Sequence, residues 1–348
     1  MSSPVTKPTD IIWDVTYACP LRCIHCYSES GRRPARQLSH GDMLRLADVI
    51  IAMRPESVEF AGGEPLVVKG IYEVAERIGR AGIAVNLYTG GWTLTPETAE
   101  EAARVFRRIT VSVDGADAKV HDRVRGRAGS FDRAMSALAM LDDIAARREA
   151  RDDTPLLFGI DCSVVRSNLH RLAGFCTDIA PRFPRMRSLN LAAAVPAGLA
   201  SRPGFAETEL LDNEELRTLT GEEYTERLRS LAPASLAVTT SSNFPLMMHP
   251  AFVASHGFPL LQIEPDGEVR AMPVYEGCVG NLLTEDPDVL WRRAVERWSD
   301  PFVVETLSQV RSMADWAEAT RRIDRRFGSP EVLARIDRRP PWRVAEPA

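Results

Sequence analysis

From Ile11 to Ala192 the chain alternates short apolar runs with stretches whose apolar residues recur every three or four positions. The apolar runs are Ile11–Thr16, Ser57–Ala61, Ile83–Thr89, Arg108–Val113, Leu156–Val165 and Arg187–Ala192. Between them the spacing predicts helices. Ser39-His-Gly-Asp42 caps one that carries Met43, Leu46, Ala47 and Ile50 on one face. Others cover Ile71–Ala81, Phe131–Arg147 and Leu169–Ile179, and one starts at Thr95-Pro96-Glu97, where an N-cap, a first-turn proline and an acid coincide. A strand followed by a helix, repeated, leaves few topologies: parallel pairing through right-handed crossovers. Binding sites in such sheets lie beyond the carboxyl ends of the strands.

The segment after the first strand carries Cys19, Cys23 and Cys26, spaced C-x-x-x-C-x-x-C. Thiolates suit soft metals and iron–sulfur clusters. Three of them leave one iron of a four-iron cluster without a protein ligand, so a small chelating molecule can occupy it. A structural zinc site is the alternative, but it wants four N or S ligands, and His25, between two of the cysteines, is badly placed to be the fourth. A run of free thiols is the other alternative. Two further phrases follow strands. Gly62-Gly63-Glu64-Pro65 allows close backbone approach and positive φ, and its backbone and carboxylate can hold an ammonium group; a tight strand-to-helix turn is the plain reading. Val111-Ser112-Val113-Asp114-Gly115 leads to His121-Asp122-Arg123-Val124-Arg125-Gly126 and Gly129-Ser130-Phe131, with Ser112 on an otherwise apolar strand.

Together these phrases resemble the radical S-adenosylmethionine (SAM) family, and within it the maturases that carry a SPASM or twitch extension. The resemblance implies a partial (β/α)6 barrel in the α/β class. It implies one [4Fe-4S] cluster on Cys19, Cys23 and Cys26, and SAM as second cofactor, cleaved reductively to a 5′-deoxyadenosyl radical. It implies SAM contacts from Gly62, Gly63 and Glu64, from Ser112, and from Arg125, chosen over Arg123 to reach the carboxylate. It places His25 on the adenine and Asp161 and Ser163 on the ribose or the substrate. Strand alternation puts Asp161 and Ser163 on one face and Cys162 on the other. Cys162 and Cys176 are expected as packed apolar thiols.

Past residue 200 the pattern breaks. Pro196 to Gly204 has the composition of a linker. Asp212 caps a helix to about Leu231, and Leu260–Met272 alternates on both sides of Pro265-Asp266-Gly267, which predicts a β-hairpin. The order resembles a SPASM or twitch extension, but Met272 stands where a ligand cysteine is expected and Cys278 is the only thiol of the region. One thiol cannot hold a four-iron cluster. The expected domains are a barrel over 1–200, a degenerate extension kept for its shape over 201–300, and amphipathic helices over 301–348 that pack on the barrel or on a second subunit, as in a homodimer. Without an auxiliary cluster to accept an electron, redox-neutral outcomes such as epimerisation, elimination or decarboxylation are expected, with Cys278 as candidate hydrogen-atom donor or an incidental loop thiol.

The chain has 348 residues, 45% of them hydrophobic, and a net charge of −5. That suits a protein with a real core and argues against a general nucleic-acid binder. No apolar run approaches a membrane span and the first ten residues lack a signal-peptide core, so a cytoplasmic protein with reduced thiols is expected. With only about ten residues before the first strand, no leader-binding domain is expected there. The expected substrate is a small natural product of antibiotic biosynthesis: a sugar, aminocyclitol or nucleoside. The alternatives are a ribosomal-peptide maturase with a separate recognition protein and a non-catalytic iron–sulfur or zinc protein. The expected electron donor is a flavodoxin or ferredoxin.

Overall fold

The computed structural model describes residues 7–249, 251–253 and 260–342. Six strands, β1 (Asp10–Asp14), β2 (Ser57–Ala61), β3 (Ala84–Thr89), β4 (Arg108–Ser112), β5 (Leu157–Val164) and β6 (Ser188–Ala193), lie side by side in chain order and all parallel. Helices α1 (His40–Met53), α2 (Ile71–Arg80), α3 (Pro96–Val105), α4 (Ala118–Arg125) and α5 (Ser130–Glu149) fill the first four crossovers. Two starts are capped as their sequence suggests: the Ser39 hydroxyl accepts from the Asp42 amide, and Thr95 and Thr98 cap each other reciprocally. The fold is the expected α/β class with a partial barrel.

The sheet has two unlike faces because strand neighbours alternate. Val58, Phe60, Val85, Leu87, Ile109 and Val111 are fully buried and belong to the apolar core, together with buried residues of the helices. The opposite face is polar. Ile12, Glu59, Asn86 and Arg108 stand level across β1 to β4, and Ser112, Asp161 and Asn190 stand level across β4 to β6. Asn86 donates to Glu59 at 2.7 Å and Asn190 to Asp161 at 2.6 Å, so this concave face is cross-linked by side chains.

The expected break near residue 200 does not interrupt the sheet. β7 (Ala237–Ser241) adds to β6 in parallel. On the other edge β8 (Leu260–Ile263) pairs in parallel with β1, followed by antiparallel β9 (Glu268–Arg270) and β10 (Cys278–Asn281). The hairpin turns through Gly267 at φ 86°, which favours glycine. Two other expectations are corrected. The helix expected over Leu169–Ile179 is instead short Arg166–Leu169 and then a wide turn over Phe175–Ile179; Gly174 between them lies where a Cβ would come within 2.8 Å of the Ala116 methyl. The composition that reads as a linker at 196–204 is a largely buried segment, with Leu199, Ala200 and Ser201 of the Gly198–Ser201 3-10 turn at 0 to 1% exposure. The helices expected over 301–348 are described as far as residue 342. Pro301–Ser308, Met313–Phe327 and Pro330–Asp337 cover the hairpin, and Trp316 Nε1 donates to Tyr275 at 2.8 Å.

Trp13, fully buried on β1, packs on Phe60 with ring centroids 5.5 Å apart, and its indole N–H has no partner. Trp13→Ala is expected to cost about 3–5 kcal/mol in urea unfolding, as large-to-small core changes do. Trp13→Phe is expected to cost much less, because it also removes an unpaired buried donor.

Candidate functional site

The carboxyl end of β1 runs into the cysteine loop, and the loop is held from four directions. Beneath it, Gly63 N donates to Thr16 O at 2.7 Å and Glu64 N to Ala18 O at 2.8 Å. A Cβ at Gly63 would meet Ala18 O at 2.1 Å, so the paired glycines are needed for the loop itself to sit on the β2 turn. From α4, Arg22 N donates to Arg125 O at 3.0 Å and Ile24 N to Val124 O at 2.9 Å, one on each side of Cys23. From the 196–204 segment, Leu199 N donates to Cys26 O at 3.0 Å and the Arg202 guanidinium to Ile24 O at 3.1 Å. From the C-terminal end, Arg335 and Arg339 pair with buried Glu29, three residues after Cys26.

The centre of this assembly is Asp114, at the end of β4 and fully buried. Its Oδ2 lies 2.8 Å from His25 Nε2 and 2.7 Å from Arg125 Nε, and its Oδ1 accepts from Ser163 N at 2.9 Å. Burial alone would push this carboxyl up; the Arg125 and His25 charges overcome it and hold the group well below the usual carboxylate range. An ionised Asp114 makes His25 Nε2 the donor. Arg125 Nη1 then points at Cys23 Sγ from 3.8 Å.

Cys19, Cys23, His25 and Cys26 line one cavity of about 380 Å³. Glu59, Gly62, Gly63, Glu64, Tyr88, Ser112, Arg125, Asp161, Ser163 and Gln262 line it too. Leu246, Pro273 and Val274 from the C-terminal region complete it. Residues 13–151 match the family model described as the Radical SAM superfamily. Those residues form a radical SAM domain. Mycofactocin maturase MftC of Mycolicibacterium smegmatis is 36% identical over 177 residues, 51% of this chain and 42% of that one. The AdoMet-dependent heme synthase of Methanosarcina barkeri is 33% identical over 174 residues, 49% of this chain and 47% of that one. The matched stretches thus span less than half of these curated relatives. In fold, Streptococcus suis SuiB bound to S-adenosylmethionine aligns with a TM-score of 0.63 at 16% identity, over 88% of this chain and 69% of that one. These likenesses relate the chain to the SPASM-bearing branch of the superfamily.

The residues present fit the cofactors of a radical SAM protein. All three loop cysteines are free, and their sulfurs are not gathered within 4.8 Å of one another. A single tetrahedral zinc with ~2.3 Å bonds would draw its sulfurs to roughly 3.8 Å apart. That separation does not match a preformed tetrahedral zinc site, and His25 directs its Nε2 to Asp114. Burial pushes the Cys19 thiol up to about 12 and raises Cys23 as well, so both are thiols until a metal takes the proton's place.

Several expected roles change in detail. The Glu64 carboxylate is taken by Thr89 Oγ1 at 2.8 Å and Gly90 N at 2.9 Å, so it ties β2 to β3. Arg125 is committed to Asp114 and faces Cys23, although its Nε hydrogen has no aligned acceptor. Ser112, Ser163 and Asp161 do reach the cavity, while Cys162 lies on the other face of β5 and Cys176 is buried elsewhere. Cys278 is corrected: it does not line this cavity. It sits on β10 with Glu264 and Glu268 in a separate cavity of about 500 Å³, because the hairpin carries it outward past β8. Sequence reasoning assigned no role to Asp114, Leu199, Arg202 or Gln262. Only the positive-φ Gly198, where a Cβ would meet Tyr27 O at 2.1 Å, signals that 196–204 is pressed on the loop. Gly198→Val is expected to fold with markedly reduced iron uptake on anaerobic reconstitution.

Asp14, also fully buried, accepts from Tyr27 at 2.6 Å and from Gln262 Nε2 at 2.7 Å, and burial still pushes it up to about 6. A carboxyl raised on folding favours the fold while protonated. Its contribution is therefore lost as pH rises from about 4 through 6. Asp14→Asn is expected to flatten that part of the stability–pH curve, read by urea unfolding of the iron-free protein at pH 4.5 and 7.5.

Proposed function

We propose that this chain cleaves SAM reductively and abstracts a hydrogen atom from a ribosomally made peptide, with a redox-neutral outcome. Bound at Cys19, Cys23 and Cys26, the cluster and its SAM supply an electron and a carbon radical. The chain's own residues position and enclose. Gly62 and Gly63 bring the loop against β2, and the inner-face row of Ser112, Asp161 and Ser163 offers hydroxyl and carboxylate groups to a nucleoside. Leu246, Pro273 and Val274 add apolar lining from the C-terminal region.

The observation that carries the substrate reading is Gln262. It is 2% exposed, lines the cavity, and stands level with Glu59 across β1. Asp14 accepts its amide hydrogen, so its Oε1 is left as an acceptor, and that oxygen is buried without a partner. A buried unpaired carbonyl costs about 1–3 kcal/mol, which a bound N–H donor offsets. Peptide amides are such donors. Relatives named as maturases and as a bacteriocin biosynthesis protein, AlbA of Bacillus subtilis at 28% identity over 41% of this chain, support the peptide over a sugar or nucleoside. The heme synthases among the relatives keep a small molecule as the second reading. The absence of auxiliary-cluster cysteines past Cys176, Cys278 apart, supports a redox-neutral reaction.

The test is anaerobic reconstitution, iron counting, and 5′-deoxyadenosine assay with dithionite. About four irons per chain are expected, falling to background in Cys19→Ala, Cys23→Ala or Cys26→Ala. Candidate precursor peptides are expected to accelerate 5′-deoxyadenosine release; acceleration by aminated sugars or nucleosides alone would return the reading to a small molecule. Gln262→Leu is expected to raise KM for the accepted substrate about tenfold, one lost buried hydrogen bond, and to leave substrate-free SAM cleavage unchanged.

A further inference from the structure

We propose that Arg125 is a positioning residue for the cluster: through Cys23 it raises the reduction potential, and Asp114 holds it there. The family resemblance assigns this arginine to the SAM carboxylate; the geometry gives it a different task. Its Nη1 lies 3.8 Å from Cys23 Sγ, within reach of a long N–H···S contact. Its Nε lies 2.7 Å from Asp114 Oδ2, and the side chain is about nine-tenths buried. A guanidinium in such a place keeps its charge, since it does not deprotonate in proteins. Three ties remove its freedom to swing away. Asp114 is itself fixed by Ser163 N and His25. The backbone of α4 at Val124 and Arg125 accepts from both sides of Cys23. The helix ends immediately at Gly126, whose φ is 67° and where a Cβ would meet Arg22 O at 2.1 Å. Helix terminus, loop and carboxylate therefore hold charge and sulfur at one separation.

The consequence follows from charge. A cluster gains negative charge on reduction, and its potential is set by net charge and by hydrogen bonds to its sulfurs. A fixed positive group in a dry surrounding stabilises the reduced form, far more than the same group in water. SAM cleavage needs the reduced cluster, so this arginine makes the electron easier to deliver. Asp114 meets the Nε of the guanidinium while Nη1 meets the sulfur, so carboxylate and thiol contact different nitrogens of the same cation.

The proposal rests on the cluster reading of the three cysteines, and two measurements keep the two apart. Iron content and a reducible cluster signal in the wild-type chain test the cluster reading. The potential tests Arg125. EPR-monitored redox titration is run without SAM on the reconstituted wild type, Arg125→Gln, Arg125→Lys and His25→Ala. With four irons held, Arg125→Gln is expected to titrate at a clearly more negative potential. Arg125→Lys is expected between the two, because it keeps the charge but not the rigid fork. His25→Ala, which loosens the loop from Asp114 and leaves the arginine, is expected near wild type. An unchanged potential in Arg125→Gln overturns the proposal. So does an equal shift in His25→Ala, which would make loop distortion the cause. So does failure of both arginine variants to take up iron while His25→Ala loads fully, which would make the residue structural. A wild-type potential in Arg125→Gln with weakened SAM binding by equilibrium dialysis would return the arginine to the SAM carboxylate.

Discussion

One buried carboxylate organises the reactive end of this molecule. Asp114 sits out of water, where an isolated charge is very costly, and two cationic or donating side chains and a backbone amide satisfy it. Those partners come from three separate places: His25 from the cysteine loop, Arg125 from α4, Ser163 from β5. Meeting the demands of one ionised group therefore fixes the loop, the helix end and the neighbouring strand relative to each other. The cysteines inherit their spacing from that arrangement. All three line one cavity.

The sheet supplies the second half of the design through its two faces. The outward side chains build an ordinary apolar core under the helices. The inward ones form rows of carboxylates, amides and hydroxyls, and they cross-link so that few are left without partners. The extension continues the same sheet on the β1 edge, which brings Gln262 level with Glu59. Among the described residues it brings no cysteine to this cavity. Its contribution is a wall and the unsatisfied acceptor of Gln262. The helices beyond it return to the cysteine loop through the Arg335 and Arg339 pairs with Glu29, so the extension and its helices brace the loop mechanically.

The buried ion pairs obey the same energetics. Arg270 lies between Glu264 at 2.5 Å and Glu276 at 3.4 Å, with all three nearly inaccessible. Such networks are weak contributors to net stability, since desolvation cancels much of the attraction, but breaking one partner strands a buried charge. They specify how the hairpin docks more than how tightly. The same logic explains why Cys278 lies where it does: β10 pairs antiparallel with β9 on the outer edge, and its thiol faces Glu268 and Glu264 instead of the strands' carboxyl ends.

The alternation of strand and helix, the caps at Ser39 and Thr95, the three-cysteine loop, the paired glycines and the β-hairpin were all legible in the sequence. Each is a local signal: periodicity, a cap or a turn reports on residues within one element or one loop. The same reading left Pro196–Gly204 as a linker and placed Cys278 near the reaction, and it had no means of finding Asp114, Arg202 or Gln262. Their roles depend on contacts between residues far apart in the chain, such as Gln262 with Asp14 across 248 positions. Composition cannot register a distant backbone pressing on a glycine, nor a strand from the far end of the chain joining the sheet beside the first. The sequence by itself determined the elements and the thiols; the pairing of β8 beside β1 and the burial of one carboxylate, both made by residues far apart in the chain, decided which side chains face them.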